Sequence, residues 1–243
     1  MPSDWEEAQR EFYDSTADEY RESFQQSNPY FDFILGRFLE AVGPRPGERV
    51  LELGASGGRF TVPLLEAGCR VTGVDISGKS IRYLERLTAS HPCRGALTLI
   101  QEDAGSLAGV VERDFDAVVG GHILHHVADV RTVLREARAR LRPGGRAVFL
   151  EPNPWNPQWY LHITFHPRRS WRVERGFLRV WPGRVRRAFL GSGFSSCRVT
   201  TFGCFPPFVL NLLPAARALE TALARCRPLA RLFTLNLFVG VAP

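Results

Sequence analysis

Hydrophobic positions along these 243 residues fall into successive regimes with different periods. Apolar residues recur at helical spacing from Trp5 to Phe24 and again from Pro29 to Val42. Phe31, Ile34, Leu35, Phe38 and Leu39 line one face of the second predicted helix. From Arg49 onward short apolar runs alternate with amphipathic ones. This pattern predicts strands at 49–53, 70–75, 97–101, 115–120 and 146–151, and helices at 58–67, 78–90 and 129–141. Asp129 is placed as the N-cap of the last of these helices and Pro143-Gly144-Gly145 as its stop. Alternating strands and helices predict a doubly wound, mostly parallel α/β sheet covered on both faces, with residues 1–43 as an N-terminal helical cap. Right-handed crossovers would bring Gly54, Asp75, Asp103, Gly120 and Glu151 to one edge of it.

Residues 152–181 break the alternation with a Pro-, Trp- and Arg-rich segment leaving the end of the fifth strand. An insertion at the ligand edge of such a sheet usually acts as a lid or specificity element, although it can also simply cover the sheet. Beyond it the pattern gives a helix at Pro182–Leu190, a strand at Phe194–Phe202, a helix at Pro214–Cys226 and a strongly apolar strand at Leu232–Val241.

The stretch most suggestive of chemistry follows the first strand: Glu52-Leu53-Gly54-Ala55-Ser56-Gly57-Gly58. A strand, a tight turn of small residues and a helix let backbone amides approach a polar ligand at a helix N-terminus. Asp75 ends the second strand 17 residues after Gly58, near the spacing at which an acid reaches ribose hydroxyls. A solvent-facing turn followed by a Ser77 N-cap is the plainer explanation of that aspartate.

The pattern E-x-G-x-S-x-G at Glu52–Gly58 resembles the first motif of the class I S-adenosylmethionine-dependent methyltransferases of small-molecule type, with Ser56 where a glycine is commoner. Asp103 and Ala104, the Phe115–Asp129 stretch and Leu141–Glu151 resemble later segments of the same family in order. The resemblance implies a Rossmann-like seven-stranded sheet whose final strand is antiparallel. It implies that Gly54, Ser56 and Gly58, with Glu52 beside them, cradle the methionine part of S-adenosyl-L-methionine. Asp75 and Ile76 would hold its ribose, and Asp103 and Ala104 its adenine, with Gly120 beneath. Phe12-Tyr13 and Tyr20 resemble the family's N-terminal helix, whose tyrosines close over the cofactor; ordinary packing on one helix face accounts for them equally well.

Methyl transfer from a sulfonium asks the protein to align donor and nucleophile and, for a neutral acceptor, to remove one proton. His122, His125 and Glu151 form the pool from which a base would come, while His126 reads as a structural or lining residue. His162 and His166 are further proton acceptors by type. Arg168, Arg169, Arg172 and Arg175 suit an anionic acceptor or a solvated basic face.

Composition narrows the field. Residues 1–130 carry 12 basic and 21 acidic side chains and residues 131–243 carry 19 and 4, giving a net charge of +6. The basic half keeps RNA or protein substrates as an alternative. Only Lys79 among the 31 basic residues is a lysine, and Asp75 stands four before it, so the Tyr-x-x-x-Lys pair of a nicotinamide dehydrogenase is missing. The five cysteines form no C-x-x-C pair and no metal-ligand spacing, so no metal is expected. No apolar run reaches the roughly 18 residues of a membrane span and the N-terminus has no signal core, which points to a cytoplasmic protein. The expected activity is methylation of a small-molecule acceptor at O, N or C. The acceptor would carry apolar or aromatic surface, in the manner of a secondary metabolite, a quinone-like compound or a lipid-linked one. A methyltransferase-like protein that binds the cofactor without turnover is the other alternative.

Overall fold

The computed structural model describes residues 7–15, 28–166, 171–205, 207–213, 215–223 and 226–243. Tyr20, Trp5, Arg168 and Arg169 lie outside the described residues. Helix α1 covers residues 7–15 and α2 covers Pro29–Val42. The sequence sets both ends of α2. Asn28 accepts a hydrogen bond from Phe31 N, Pro29 occupies the first turn, and Gly43 takes the left-handed conformation (φ 55°) that closes the last.

The seven-stranded sheet has the order β3-β2-β1-β4-β5-β7-β6. Its strands are β1 (Arg49–Leu53), β2 (Arg70–Asp75), β3 (Leu97–Gln101), β4 (Phe115–Gly121), β5 (Leu141–Pro152), β6 (Ser196–Phe202) and β7 (Leu235–Val241). The first five pair in parallel, and β7 runs antiparallel between β5 and β6. Because side chains alternate along a strand, the valine- and leucine-rich strands feed two cores. Leu51, Leu53, Val118 and Phe149 face one, together with Phe189 of α8 (Pro182–Gly191). Val50, Val119, Val148 and Leu150 face the other, against Phe38 and Val42 of α2.

Helix α3 runs only from Thr61 to Glu66, three residues shorter at its start than the periodicity predicts, because Gly58 has φ 82° and cannot be part of a right-handed helix. Helices α4 (Gly78–Thr88) and α5 (Val130–Arg140) start on Ser77 and Asp129, whose side chains accept from Ser80 N and Arg131 N. Strand β5 begins at Leu141 rather than 146. Leu141 pairs with Phe115, and the register then shifts through the Pro143-Gly144-Gly145 turn before Arg146 pairs with Ala117.

Residues 152–181, for which the sequence pattern names no elements, form helices: α6 (Pro157–Phe165), α7 (Trp171–Glu174) and a 3₁₀ segment at Arg175–Arg179. The α6 sequence, PQWYLHITF, sets Leu161 and Phe165 on the side opposite Trp159 and Ile163, with Gln158 and His162 between them, and so carries no single apolar face at the 3.6-residue period. Nearer the C-terminus, α9 (Pro207–Leu212), α10 (Ala216–Leu223) and α11 (Arg227–Ala230) replace the single predicted helix.

Candidate functional site

A cavity of about 730 Å³ opens at the carboxyl edge of β1, β2 and β4, where the crossovers place it. Its floor is the turn after β1. Gly54 (φ 75°), Ser56 (φ 43°) and Gly58 (φ 82°) all take the left-handed conformation, which folds the turn back towards β2. Gly54 N and Ala55 N both donate to Val74 O, at 2.8 and 3.0 Å. Asp75 completes the link: its Oδ2 accepts from Ser56 N at 2.8 Å and its Oδ1 from Ser77 N at 2.9 Å. One carboxylate thus ties the two turns together.

Glu52 lies at the same edge, fully buried, and accepts from Thr61 Oγ1 at 2.6 Å. Burial pushes its carboxyl from 4.5 up to about 8, against the lowering effect of the Thr61 hydrogen bond and with a further rise from Asp75. Glu52 therefore holds a proton at neutral pH. Ile76, Asp103 and Ala104 extend the cavity wall, and Asp103 Oδ1 accepts from Gly105 N at 2.5 Å. Tyr13 of α1 forms part of the opposite wall, its hydroxyl 2.8 Å from His126 Nε2.

Two of the glycines expected at the ligand have another function. Gly58 does not line the cavity; a Cβ there would lie 2.7 Å from Leu84 Cδ1 of α4, so its smallness serves helix packing. Nor does Gly120, where a Cβ would meet Ile123 Cγ2 at 2.7 Å and Leu53 O at 3.0 Å.

The proposed base pool also needs correction. Glu151 does not line the cavity and has no exposed surface. Its Oε1 accepts from Ile123 N (2.9 Å) and Leu124 N (2.7 Å), and its Oε2 lies 2.6 Å from His125 Nδ1. It is committed to holding the loop after β4. His125 lines the cavity but is almost wholly buried, with Glu174 Oε2 3.6 Å from its Nε2. Burial pulls the imidazole down, yet the Glu151 and Glu174 carboxylates outweigh it and raise it from 6.5 to about 9. Protonated at neutral pH, His125 would serve as a proton acceptor only after losing that proton. His122 lines the cavity in the left-handed region (φ 56°), with its ring centroid 6.2 Å from that of Trp159. His162 lines it too, from α6; His166 does not.

Several cavity residues escaped the sequence reading. Trp159, Ile163 and Phe177, from α6 and the segment after α7, add apolar lining to the cavity. Arg59 places its guanidinium 3.9 Å over the Phe31 ring, and burial lowers it to about 10 although Tyr30 counteracts. Its position immediately after Gly58 was the available signal. Glu174 had none, since only the packing of α7 brings it to the post-β4 loop.

Residues 51–147 match the profile of a family described as a methyltransferase domain. A ubiquinone biosynthesis O-methyltransferase from Bordetella pertussis is 32% identical over 129 residues, which cover 52% of each chain. A highly reducing polyketide synthase from Alternaria alternata is 29% identical over 159 residues, 58% of this chain and 6% of that one. The match therefore spans about half the length of the first relative and a small part of the second. Among solved structures, a Thermotoga maritima S-adenosylmethionine-dependent methyltransferase, described as a possible histamine N-methyltransferase, superposes with a TM-score of 0.68. It is 17% identical and covers 97% of this chain and 100% of its own. A Haemonchus contortus phosphoethanolamine N-methyltransferase, solved with phosphomonomethylethanolamine and S-adenosylhomocysteine, gives a TM-score of 0.63 at 19% identity, covering 97% of this chain and 60% of that one. With the sheet order and the turn after β1, these similarities define the class of fold: residues 51–147 are similar to a methyltransferase domain, and the solved S-adenosylmethionine-dependent methyltransferases share the fold of the described residues.

Proposed function

We propose that the chain transfers a methyl group from S-adenosyl-L-methionine to a small-molecule acceptor with apolar or aromatic surface. The observation that carries this reading is the Ser56 N to Asp75 Oδ2 hydrogen bond, which locks the small-residue turn against the acid at the end of β2 on one wall of the cavity. The same cavity is lined by the aromatic rings of Trp159 and Phe177. In this reading the 54–56 turn receives the methionine part and Asp75 with Ile76 the ribose. Asp103 with Ala104 receives the adenine, and Tyr13 covers it from α1. Gly58 and Gly120 support the site from behind. Trp159, Ile163 and Phe177 receive the acceptor, and a relative that methylates oxygen in ubiquinone biosynthesis favours an acceptor of phenol-like character.

The bound cofactor supplies an electrophilic methyl group on a sulfonium with a good leaving group. The chain's own contribution is to align the acceptor, exclude water and, for a hydroxyl acceptor, take one proton. His122 is the member of the base pool that lines the cavity beside the aromatic residues proposed for the acceptor, its ring centroid 6.2 Å from that of Trp159. It is proposed for that role.

Isothermal titration of S-adenosylmethionine, S-adenosylhomocysteine and NADH into the purified chain, with Asp75→Ala as control, tests the cofactor assignment. Micromolar binding of the first two, lost in the variant, is expected; binding of NADH alone would overturn it. Transfer of labelled methyl to a panel of phenols and quinols then tests the acceptor class. Cofactor binding with no transfer to any phenol would reject the phenol assignment.

A further inference from the structure

The loop after β4 and the end of α7 bring together His125, His126 and Glu174, three buried residues whose candidate ligand atoms all lie within 4.8 Å of one another. We propose that they form a binding site for a divalent first-row transition cation such as zinc, iron(II) or manganese, on the wall of the same cavity. Two imidazoles and one carboxylate are a donor set that these ions accept, and three protein ligands leave a coordination position open.

The surroundings are those of an oriented ligand set. Glu151 Oε2 lies 2.6 Å from His125 Nδ1, and Glu151 Oε1 is itself fixed by two backbone amides. A carboxylate on one imidazole nitrogen directs the other, here Nε2, at the ion. That Nε2 stands 3.6 Å from Glu174 Oε2, longer than a good hydrogen bond. It is close to the separation of about 3.0–3.4 Å between neighbouring ligands at bonds of roughly 2.1 Å. On His126 the Tyr13 hydroxyl occupies Nε2 at 2.8 Å, which assigns Nδ1 to the cation.

Charge and coordination number agree. Glu151 and Glu174 are both buried against His125, and a dication that displaces the Nε2 proton of His125 into solvent compensates two carboxylates where one imidazolium compensates one. A further oxygen donor is close by in the fold. Gln9 of α1 is 3% exposed, lines the same cavity and fixes its Nε2 on Val173 O, the residue before Glu174. Its Oε1 has no hydrogen-bond partner among the described residues. All three ligands line the cavity, so the open position faces it. There the ion would take an oxygen of the acceptor, a role that rests on the methyl-transfer reading above; the ion site itself does not.

The test uses the full, untagged chain, stripped with a chelator and titrated with Co(II) and Zn(II) without S-adenosylmethionine. Roughly one equivalent of Co(II) should bind, with visible d–d absorption displaced by Zn(II). Glu174→Gln should weaken binding at least tenfold, and Glu151→Gln, a positioning change, by about 10–100-fold. If Glu174→Gln does not fold, His126→Asn is read in its place with the same expectation. Absence of saturable binding, or binding indifferent to both ligand substitutions, would overturn the site. Neither result depends on the cofactor titration, so the two assignments fail separately.

Discussion

The separate duties of Gly54 and Gly58 lead to a comparison that isolates packing from ligand binding. Replacing Gly58 by alanine puts a Cβ 2.7 Å from Leu84 Cδ1, well inside van der Waals contact, on a backbone at φ 82°. The left-handed conformation costs a non-glycine residue about 1–2 kcal/mol. Overpacking a fully buried leucine adds about 1–3 kcal/mol. A total of about 3 kcal/mol corresponds to a melting temperature lower by roughly 6–12 °C in a chain of this size. Gly54→Ala also meets positive φ, but its Cβ would face Ile123 Cδ1 at 3.2 Å within the cavity wall. It should lower stability less and ligand affinity more. Differential scanning fluorimetry with and without S-adenosylhomocysteine, paired with titration calorimetry on each folded variant, reads both quantities. If Gly58→Ala kept the parent melting temperature and lost the ligand, Gly58 would be a ligand-contacting residue and the packing assignment would be wrong.

Glu52→Gln keeps the Thr61 contact and removes the titration. In the parent the folded carboxyl titrates at about 8 against 4.5 when unfolded, so the folded state binds more protons between those values. The effect of Glu52 on stability is therefore most favourable below about pH 4.5 and declines towards pH 8. Urea midpoints at pH 5 and 8 should differ for the parent by more than for the variant, and equal slopes would contradict the buried, protonated Glu52. Glu151→Ala strips two amides and His125 of their acceptor and should cost about 3–5 kcal/mol by denaturant melts; a cost below 1 kcal/mol would show that the post-β4 loop holds itself. His122→Gly relieves a left-handed non-glycine residue, so its stability should stay within about 1 kcal/mol of the parent while turnover on a hydroxyl acceptor falls about 10²-fold or more. Unchanged turnover would mean catalysis by alignment alone.

Local rules made much of the architecture legible. Strands β1, β2 and β3 begin and end where their apolar runs do, and α2 spans the residues between its Asn28 cap and Gly43. Asp75, Ser56 and Gly54 met at one edge because the crossover rule alone brings them there. What stayed hidden required tertiary information. With apolar residues on opposite sides, α6 has no helical signature, and Glu174 reaches His125 across 49 residues of chain only after α7 packs. Glu151 was placed correctly at the end of β5, but nothing in a strand-end glutamate reveals that two amides of a neighbouring loop point at it.

The position of β7 has a consequence for the order in which the molecule is made. This strand is the last of the seven to be synthesised, yet it lies between β5 and β6 and is hydrogen-bonded to both. Until it arrives, β6 has no place in the sheet and β5 presents an open edge, the kind of edge that invites pairing with another chain. Thr234 and Leu235, at its start, also form part of the cavity wall. A nascent chain can therefore assemble the turn, the aspartates and the histidine loop early, and still have a pocket open on one side. Ligand binding and sheet completion become the same late event, so a chain stalled before β7 is both unable to hold a ligand and exposed to aggregation.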